Sequence, residues 1–294
     1  MSTVIEGRTG TAVIGRVGTS GRRIAGLAQN TLWIGVGMLA VLVLASLIGP
    51  AFLPKPDSQD LFHTLTGPSA AHPFGTDDLG RDVLSRTLSA TWVDLGIGLV
   101  TTYVSLTIGI VVGSLAGYLG GWVQRIIMRL SDVVIAFPFI VLVIAIVAII
   151  GPGAKGVIVG LIVGGWAFYA RFSRAEMLSL REKPFIMAAQ TLGYSRRRII
   201  LRHALPNVIR PGVVYSFSDV VLNILYIAAL TYLGLGVQPP TPEWGAIIAS
   251  GRNFLLTAWW ITTLPGLVIV FVGLAFAFIG DGLADRLRVQ REAR

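Results

Sequence analysis

Six long apolar stretches, separated by polar or charged breaks, constrain most strongly what this chain can fold into. A helix that crosses the hydrocarbon core of a bilayer needs roughly 20 mainly apolar residues at about 1.5 Å of rise each. The chain offers such stretches at residues 31–50, 95–119, 133–150, 156–172, 213–236 and 262–280. Hydrophobic residues make up 54% of the 294 positions, more than soluble globular proteins carry. We therefore predict an all-α integral membrane protein with six transmembrane helices.

Basic residues are distributed unevenly between alternate loops. The net charge is +9, and 19 of the 24 Lys and Arg residues lie in residues 1–30, 120–131, 171–210 and 286–294. Cytoplasmic loops of membrane proteins carry this kind of excess. We therefore predict that both termini are cytoplasmic. The charge indicates topology first and contact with anionic lipid second, and it predicts no nucleic-acid partner.

The predicted spans divide the chain into four parts. Residues 1–30 form a cytoplasmic tail, and residues 31–91 hold the first transmembrane helix and an external segment. Residues 92–285 form the main membrane domain, and residues 286–294 form a second cytoplasmic tail. Within the main domain, the cytoplasmic loop 171–211 is the most basic, and we predict that it carries the mechanism.

Glycines recur every four residues along the second span, at Gly109, Gly113 and Gly117, and just beyond it at Gly121. Gly160 and Gly164 repeat this spacing in the fourth span. Small residues on one stripe let helix backbones approach closely, which is how helices associate in lipid. These stripes therefore predict close packing and say little about function.

The external segment contains a polar run that begins at His72 and ends at Asp82. A metal site built from His72, Asp77 and Asp78 is conceivable. Asp and Gly occur more often in turns and as helix caps, and we favour those roles here. We predict no metal site in this chain.

A short helix is predicted in the middle of the loop 171–211. Pro184 suits the first turn of a helix, and Gly193 suits its left-handed end. An isolated helix of this length is marginal in water, so packing or docking must stabilise it. One face would dock into a partner groove, and it carries Phe185, Ala188, Ala189 and Leu192.

A second helix is predicted to start at Ser195 as N-cap and to run to about Leu205, before Pro206. Arginines interrupt its apolar positions, so the loop could also lie on anionic lipid as a basic amphipathic anchor. Periodicity alone does not decide between an anchor and a docking site.

Ala188, Ala189 and Gly193, followed by Leu205 and Pro206, form a spaced motif in this loop. The motif resembles the coupling loop of binding-protein-dependent ABC importer permeases, which is written EAA, three residues, Gly, about ten residues and then Leu-Pro. Met187 stands where that family usually has Glu. The resemblance implies that one polar contact of the docking helix is missing here.

Three further motifs are similar to the second permease subunit of dipeptide, oligopeptide and nickel importers. They lie at residues 74–83, 233–240 and 280–285, in the expected order along the chain. In the first of them, which belongs to the external segment, the matching residues are Gly75, Asp77, Gly80, Arg81 and Asp82.

The resemblance implies a type I ABC importer permease fold in the bacterial inner membrane. It implies a non-catalytic subunit that forms half of the translocation path for dipeptides or oligopeptides. The implied partners are a sister permease in a heterodimer, two ATP-binding subunits and an external binding protein. The implied coupling residues are Pro184, Phe185, Ala188, Ala189, Leu192, Gly193, Leu205 and Pro206.

The chain itself lacks the motifs of ATP chemistry. It contains no Gly-x4-Gly-Lys-Ser/Thr phosphate loop, no zincin motif and no Gly-x-Ser-x-Gly elbow. Without cysteine it can form no disulfide or thiolate metal site. We therefore predict that this chain binds no cofactor and that ATP and Mg bind the partner subunits.

Acidic residues within the spans are the remaining candidates for function. A charge at mid-bilayer costs on the order of 2.5–3.5 kcal/mol, so Asp219 should face protein or water. One interpretation places Asp219 and Asn223 along the translocation path, where they would meet a peptide amine. The other, which we favour, pairs Asp219 with an arginine such as Arg210. Asp94 is expected at an external span end that water can reach.

A rival hypothesis is a stand-alone secondary transporter or channel that uses Asp219 as its ion or proton site. One embedded acid without an evident partner makes a poor proton relay. We also find no inverted repeat of the kind that many such transporters contain. The sequence therefore favours the ATP-driven permease.

Overall fold

The structure is a computed structural model that describes residues 20–292; of the predicted tails, residues 1–19 and 293–294 lie outside this range. Within it the chain forms α-helices and no β-strand, which confirms the all-α class. A π-helix, Ile199–Ala204, joins α7 to α8. The helices are α1 (Ser20–Ile48), α2 (Val83–Leu119), α3 (Gly121–Ala136), α4 (Phe139–Ile150), α5 (Ala154–Arg181), α6 (Pro184–Thr191), α7 (Arg196–Arg198), α8 (Leu205–Tyr232), α9 (Trp244–Gly251) and α10 (Trp260–Glu292).

Within residues 20–292, five helices are long and apolar enough to cross a membrane, and the bent pair of α3 and α4 meets the same test when it is counted as one span. Each of the six predicted stretches lies on one of them. The boundaries differ, because α2 begins at Val83 rather than near residue 95, and α5 continues to Arg181 rather than ending near residue 172. Much of the predicted loop 171–211 is therefore helical.

The third predicted span, residues 133–150, is two helices rather than one. α3 and α4 meet at an angle of 91° across Phe137 and Pro138. Proline restricts the residue before it to extended backbone, and Phe137 has φ −83° and ψ 141°. Pro138 therefore ends α3, and the prediction of one continuous helix is wrong.

Contacts between helix ends define two opposite faces of the bundle. Gly153 N donates to the Leu235 carbonyl at 3.1 Å, so the start of α5 lies beside the end of α8. Arg181 Nη1 donates to the Gly117 carbonyl at 3.1 Å, so the end of α5 lies beside the end of α2. We call the first end the segment face and the second the loop face. α4 begins beside the middle of α5, since a Cβ atom at Gly164 would lie 2.6 Å from Phe139 Cε2, and runs towards the segment face.

Glycines let α2 and α5 pack backbone against backbone. A Cβ atom at Gly113 would lie 2.8 Å from Ala170 Cα, and one at Gly117 would lie 2.9 Å from the Arg174 carbonyl oxygen. The predicted packing role is confirmed for this stripe, except at Gly121. That residue lies beyond the end of α2, at φ +57°, and a Cβ atom there would meet nothing within 4 Å.

α1 packs antiparallel along α10. A Cβ atom at Gly35 would lie 2.9 Å from Ile279 Cγ1, and one at Gly282 would lie 2.7 Å from Leu32 Cβ. α10 begins at the segment face, where Trp260 Nε1 donates to a backbone carbonyl at 3.1 Å. The described ends of the chain therefore both lie on the loop face.

We predict that Gly113→Ala destabilises the protein and that Gly96→Ala does not. Both residues lie in α2, but a Cβ atom at Gly96 would meet nothing within 4 Å. Alanine favours a helix over glycine by about 1 kcal/mol, whereas overpacking costs about 1–3 kcal/mol. Thermal unfolding in detergent should show a lower midpoint for Gly113→Ala only. Equal midpoints in the two variants would contradict the close contact.

Candidate functional site

α6 is a short helix on the loop face, and backbone geometry fixes both of its ends. A proline begins it, as predicted. At its other end Gly193 and Tyr194 donate their backbone N–H groups to the Gln190 and Ala189 carbonyls, at 2.9 and 3.1 Å. These two bonds form a Schellman motif, which needs a left-handed residue, and Gly193 has φ +74°. The predicted helix end at Gly193 is confirmed.

The predicted docking face of α6 is free at three of its four positions. Phe185 is 46% exposed, Leu192 is 71% exposed, and Ala188 is also exposed. Ala189 is only 5% exposed, so its place on that face is a wrong prediction. Successive helical residues differ by about 100°, which turns Ala189 from Ala188 towards the fully buried Ile186. We call the exposed side the docking face and the other the inward face.

The inward face packs on a hydrophobic cluster, here called the loop cluster, at the ends of α2, α5 and α8. Its members include Tyr118, Met177, Ile186, Ala189, Ile199 and Ala204. Two arginines stack on tyrosine rings around it, at 5.8 Å for Arg181 over Tyr118 and 4.1 Å for Arg198 over Tyr194. Such cation–π contacts contribute about 0.5–2 kcal/mol each. The inward face of α6 is therefore packed against the bundle, and its docking face is exposed.

The second predicted helix does not end before Pro206. Ser195 Oγ accepts from the Arg198 backbone N–H at 3.4 Å, which confirms the predicted N-cap. From there the chain stays helical through the π-helix into α8. Leu205 begins α8 and Pro206 lies in its first turn, directly after the π-helix. The π-helix lets the surface helix run directly into a transmembrane helix.

Asp219 in α8 belongs to a polar network that joins three helices. Its Oδ2 accepts from Tyr169 Oη of α5 at 2.9 Å and from Asn223 Nδ2 at 3.3 Å. Asn223 Nδ2 also donates to Thr102 Oγ1 of α2 at 2.7 Å. The favoured pairing with Arg210 is wrong. Arg210 precedes Asp219 by nine positions, which at about 100° each places it on the opposite side of α8.

Asp219 lines an aromatic cavity of about 200 Å³. Its aromatic lining consists of Phe139, Phe168, Tyr169, Tyr215 and Tyr226. Phe168 is 43% exposed and Tyr215 is 44% exposed, so the cavity opens at the surface of the bundle. Aromatic faces and a carboxylate both attract cations. The cavity therefore suits an ammonium group.

The external segment residues Gly75, Asp77, Gly80, Arg81 and Asp82 form a closed turn before α2. Asp82 is the N-cap of α2, because its Oδ1 accepts from Ser85 N at 2.7 Å. Its Oδ2 lies 2.8 Å from His72 Nδ1. Asp77 Oδ2 accepts from Arg81 Nε at 2.6 Å, and both acids are 1% exposed. The predicted turn and capping roles are confirmed.

Comparison with known proteins identifies the family. The family described as "Binding-protein-dependent transport system inner membrane component" matches residues 109–289, more than half of the chain. This chain belongs to that family. It is a permease component of the inner membrane, which confirms the resemblance seen in its motifs and decides against the stand-alone transporter.

Curated relatives of the permease cover most of its length. It is 38% identical over 263 residues to a dipeptide transport system permease protein of Alkalihalophilus pseudofirmus, which covers 89% of this chain and 86% of the relative. It is 38% identical over 257 residues to a glutathione transport system permease protein of Pectobacterium atrosepticum, covering 86% and 85%. It is 37% identical over 263 residues to a probable D,D-dipeptide transport system permease protein of Escherichia coli strain K12, covering 89% and 88%.

A solved transporter shares the fold. A chain of the MetNI methionine ABC transporter, in an inward-facing conformation, matches with a TM-score of 0.51 and 22% identity, over 70% of this chain and 95% of that chain. At this identity the match concerns the fold alone. It agrees with the type I permease fold that the motifs implied.

Sequence reasoning missed a buried carboxyl pair near the segment face of the permease. Asp94 and Glu243 are both 0% exposed, and Asp94 Oδ1 and Glu243 Oε1 have no hydrogen-bond partner among the described residues. The expectation that water reaches Asp94 is therefore wrong. Asp94 Oδ2 accepts from Trp244 N at 3.1 Å, which ties α2 to the start of α9.

Proposed function

We propose that the permease is one half of an ATP-driven importer of small peptides. Relatives named for dipeptide, glutathione and D,D-dipeptide transport, at 37–38% identity, support this class of substrate. The other half would be a sister permease, and an external binding protein would deliver the peptide. Two ATP-binding subunits would hold ATP and Mg, since this chain has no phosphate loop of its own.

The observation that carries this proposal is the docking face of α6. Its large side chains are apolar, with Phe185 46%, Met187 48% and Leu192 71% exposed. Apolar side chains that stand exposed on a rigidly fixed helix are typical of a surface that a partner covers. Met187 adds apolar area where the family usually has Glu, so docking would rest on burial rather than on that polar contact. We place the ATP-binding subunits here.

The position of α6 explains how docking could move the membrane part. α6 connects α5 to the helix that continues into α8, and its inward face packs on both. The same two helices supply Tyr169 and Asp219 of the aromatic cavity. α5 extends for about 42 Å, at about 1.5 Å per residue, from the segment face to the loop face. A push on α6 would therefore reach the helices that line the cavity.

The orientation follows from the same proposal. The loop face would lie in the cytoplasm, together with both termini, and the segment face would lie outside. The excess of Lys and Arg in the loops predicted to be cytoplasmic supports this placement. The external turn of residues 75–82 would then face the binding protein.

Asp219 and Asn223 are proposed to lie on the translocation path. Their cavity opens at the surface of the bundle, where a sister permease could complete it. The carboxylate is held by Tyr169 and Asn223, which accounts for a charge at this depth. A peptide carries an ammonium group at its amino terminus, and this group would meet the carboxylate during passage.

Leu192→Asp is predicted to abolish coupling without unfolding the permease. A charge in a docked apolar interface is costly to desolvate, whereas at a position 71% exposed it leaves the chain itself stable. In proteoliposomes of the complete importer, dipeptide uptake should fall about tenfold or more. Thermal unfolding should not change. Leu192→Met, which keeps the apolar surface, is the control, and normal uptake with Leu192→Asp would refute the docking site.

Asp219→Asn is predicted to slow uptake of a dipeptide with a free amino terminus. The variant keeps the shape and hydrogen bonds of the side chain but loses the charge, and a hydrogen bond to a charged group is worth about 1.5–3 kcal/mol. Uptake by the complete importer should fall about tenfold, while its ATP hydrolysis without peptide stays constant. Asp281→Asn, an exposed acid in α10, is the control. Unchanged uptake with Asp219→Asn would remove Asp219 from the path.

A further inference from the structure

We propose that the permease binds an anionic phospholipid in a basic cavity between α3 and the end of α5. The cavity has a volume of about 530 Å³. Its charged lining consists of Arg125, Arg129, Arg171, Arg174 and Asp132. Four arginines and one acid make a strongly positive cavity. The ligand would be a glycerophospholipid whose headgroup carries a net negative charge.

The cavity lies at the depth of lipid headgroups. α5 starts near the segment face at Ala154, and roughly 20 helical residues span the hydrocarbon core. Arg171 and Arg174 therefore fall at the opposite boundary of that core. α3 begins at the same level, because it follows α2 directly after the turn at Gly120. The phosphate groups of one leaflet would lie beside these arginines.

The direction of α3 supports this placement. α4 packs along α5, since a Cβ atom at Gly160 would lie 2.8 Å from Val143 Cγ1 and one at Gly164 would lie 2.6 Å from Phe139 Cε2. α3 meets α4 at 91°. α3 therefore runs across the bundle rather than along it, as a helix at a membrane surface does.

The surface of α3 is divided as an interfacial helix requires. Its inward side packs on α5, where the buried Ser131 Oγ donates to the Ala167 carbonyl at 3.1 Å. A stripe of exposed apolar side chains faces outward, at spacings of three or four residues. The stripe consists of Trp122, Ile126, Leu130, Val133 and Phe137, which are between 51% and 67% exposed. Arg125 and Arg129 border this stripe, so acyl chains and a phosphate can be bound side by side.

The two arginines nearest the stripe, unlike Arg171, have no acidic partner among the residues whose side chains the structure describes. Arg171 Nη2 pairs with Asp132 Oδ1 at 2.5 Å, and Arg174 Nη2 lies 2.6 Å from the Gln124 side-chain amide, whose oxygen accepts from it when the amide is oriented to satisfy both groups. Within residues 30–287, whose side chains the structure describes, Arg125 and Arg129 have no ion-pair partner. A guanidinium binds phosphate oxygens through two parallel hydrogen bonds. Charge complementarity and the adjacent apolar stripe together favour a lipid over a free phosphate ion.

The test is lipid binding by the purified full chain, measured by native mass spectrometry with phosphatidylglycerol or phosphatidylcholine added to the detergent. The double variant Arg125→Gln and Arg129→Gln removes the two unpaired charges. The double variant Arg196→Gln and Arg197→Gln removes the same charge from exposed positions elsewhere on the loop face. Circular dichroism and gel filtration check that both remain folded.

We expect phosphatidylglycerol to bind the unaltered chain more tightly than phosphatidylcholine. The dissociation constant for phosphatidylglycerol should rise about thirtyfold in the first double variant, at about 1 kcal/mol for each of its two basic residues, and less than about twofold in the second.

Three results would overturn the proposal. Equal losses in both double variants would show that overall charge, not this cavity, attracts the lipid. Displacement of phosphatidylglycerol by millimolar inorganic phosphate would show a site for a small anion. Loss of the lipid when the partner subunits assemble on the chain would show that protein covers this surface.

Discussion

The coupling proposed for this permease depends on one contact, the burial of the inward face of α6 against the loop cluster. Ile186 and Ala189 lie against Met177 of α5 and Ile199 of the π-helix. A helix of eight residues is unstable alone in water, so this contact is what keeps α6 helical. We propose that the same contact makes α6 move together with α5 and α8. A partner that displaces the docking face would then displace two transmembrane helices.

Two further contacts keep this motion from being absorbed within the bundle. α2 and α5 touch backbone to backbone at Gly113 and Gly117, where little side-chain flexibility lies between them. The hydrogen bonds around Asp219 then connect α2, α5 and α8 deeper in the membrane part. Close-packed helices transmit strain rather than deform continuously. These contacts support the proposal that a force applied at the loop face reaches the aromatic cavity.

Features set by neighbouring residues could be predicted from the sequence, and features set by distant contacts could not. The stop at Gly193 and the cap at Ser195 follow from local backbone preferences, and both are confirmed. The bend at Pro138 had a local signal too, but continuous hydrophobicity on both sides concealed it. Which side of α6 is buried depends on α2, α5 and the π-helix, so Ala189 was placed on the wrong face. Motif spacing identified the loop without showing its orientation.

Contacts across the bundle account for the remaining corrections. Tyr169 is 50 positions from Asp219, and Glu243 lies even farther along the chain from Asp94. Periodicity within one sequence does not relate residues that are so many positions apart. The prediction therefore chose an arginine close in sequence as the partner of Asp219, which is wrong.

The most direct measurement of the coupling role uses the two adjacent alanines of α6. The chain has no cysteine, so Ala188→Cys and Ala189→Cys each create a single thiol in this subunit of the assembled importer. A short thiol-reactive photo-cross-linker should join position 188, on the docking face, to an ATP-binding subunit, and position 189, on the inward face, should give no such product. Equal cross-linking from both positions, or none from position 188, would contradict the proposed docking of ATP-binding subunits on α6.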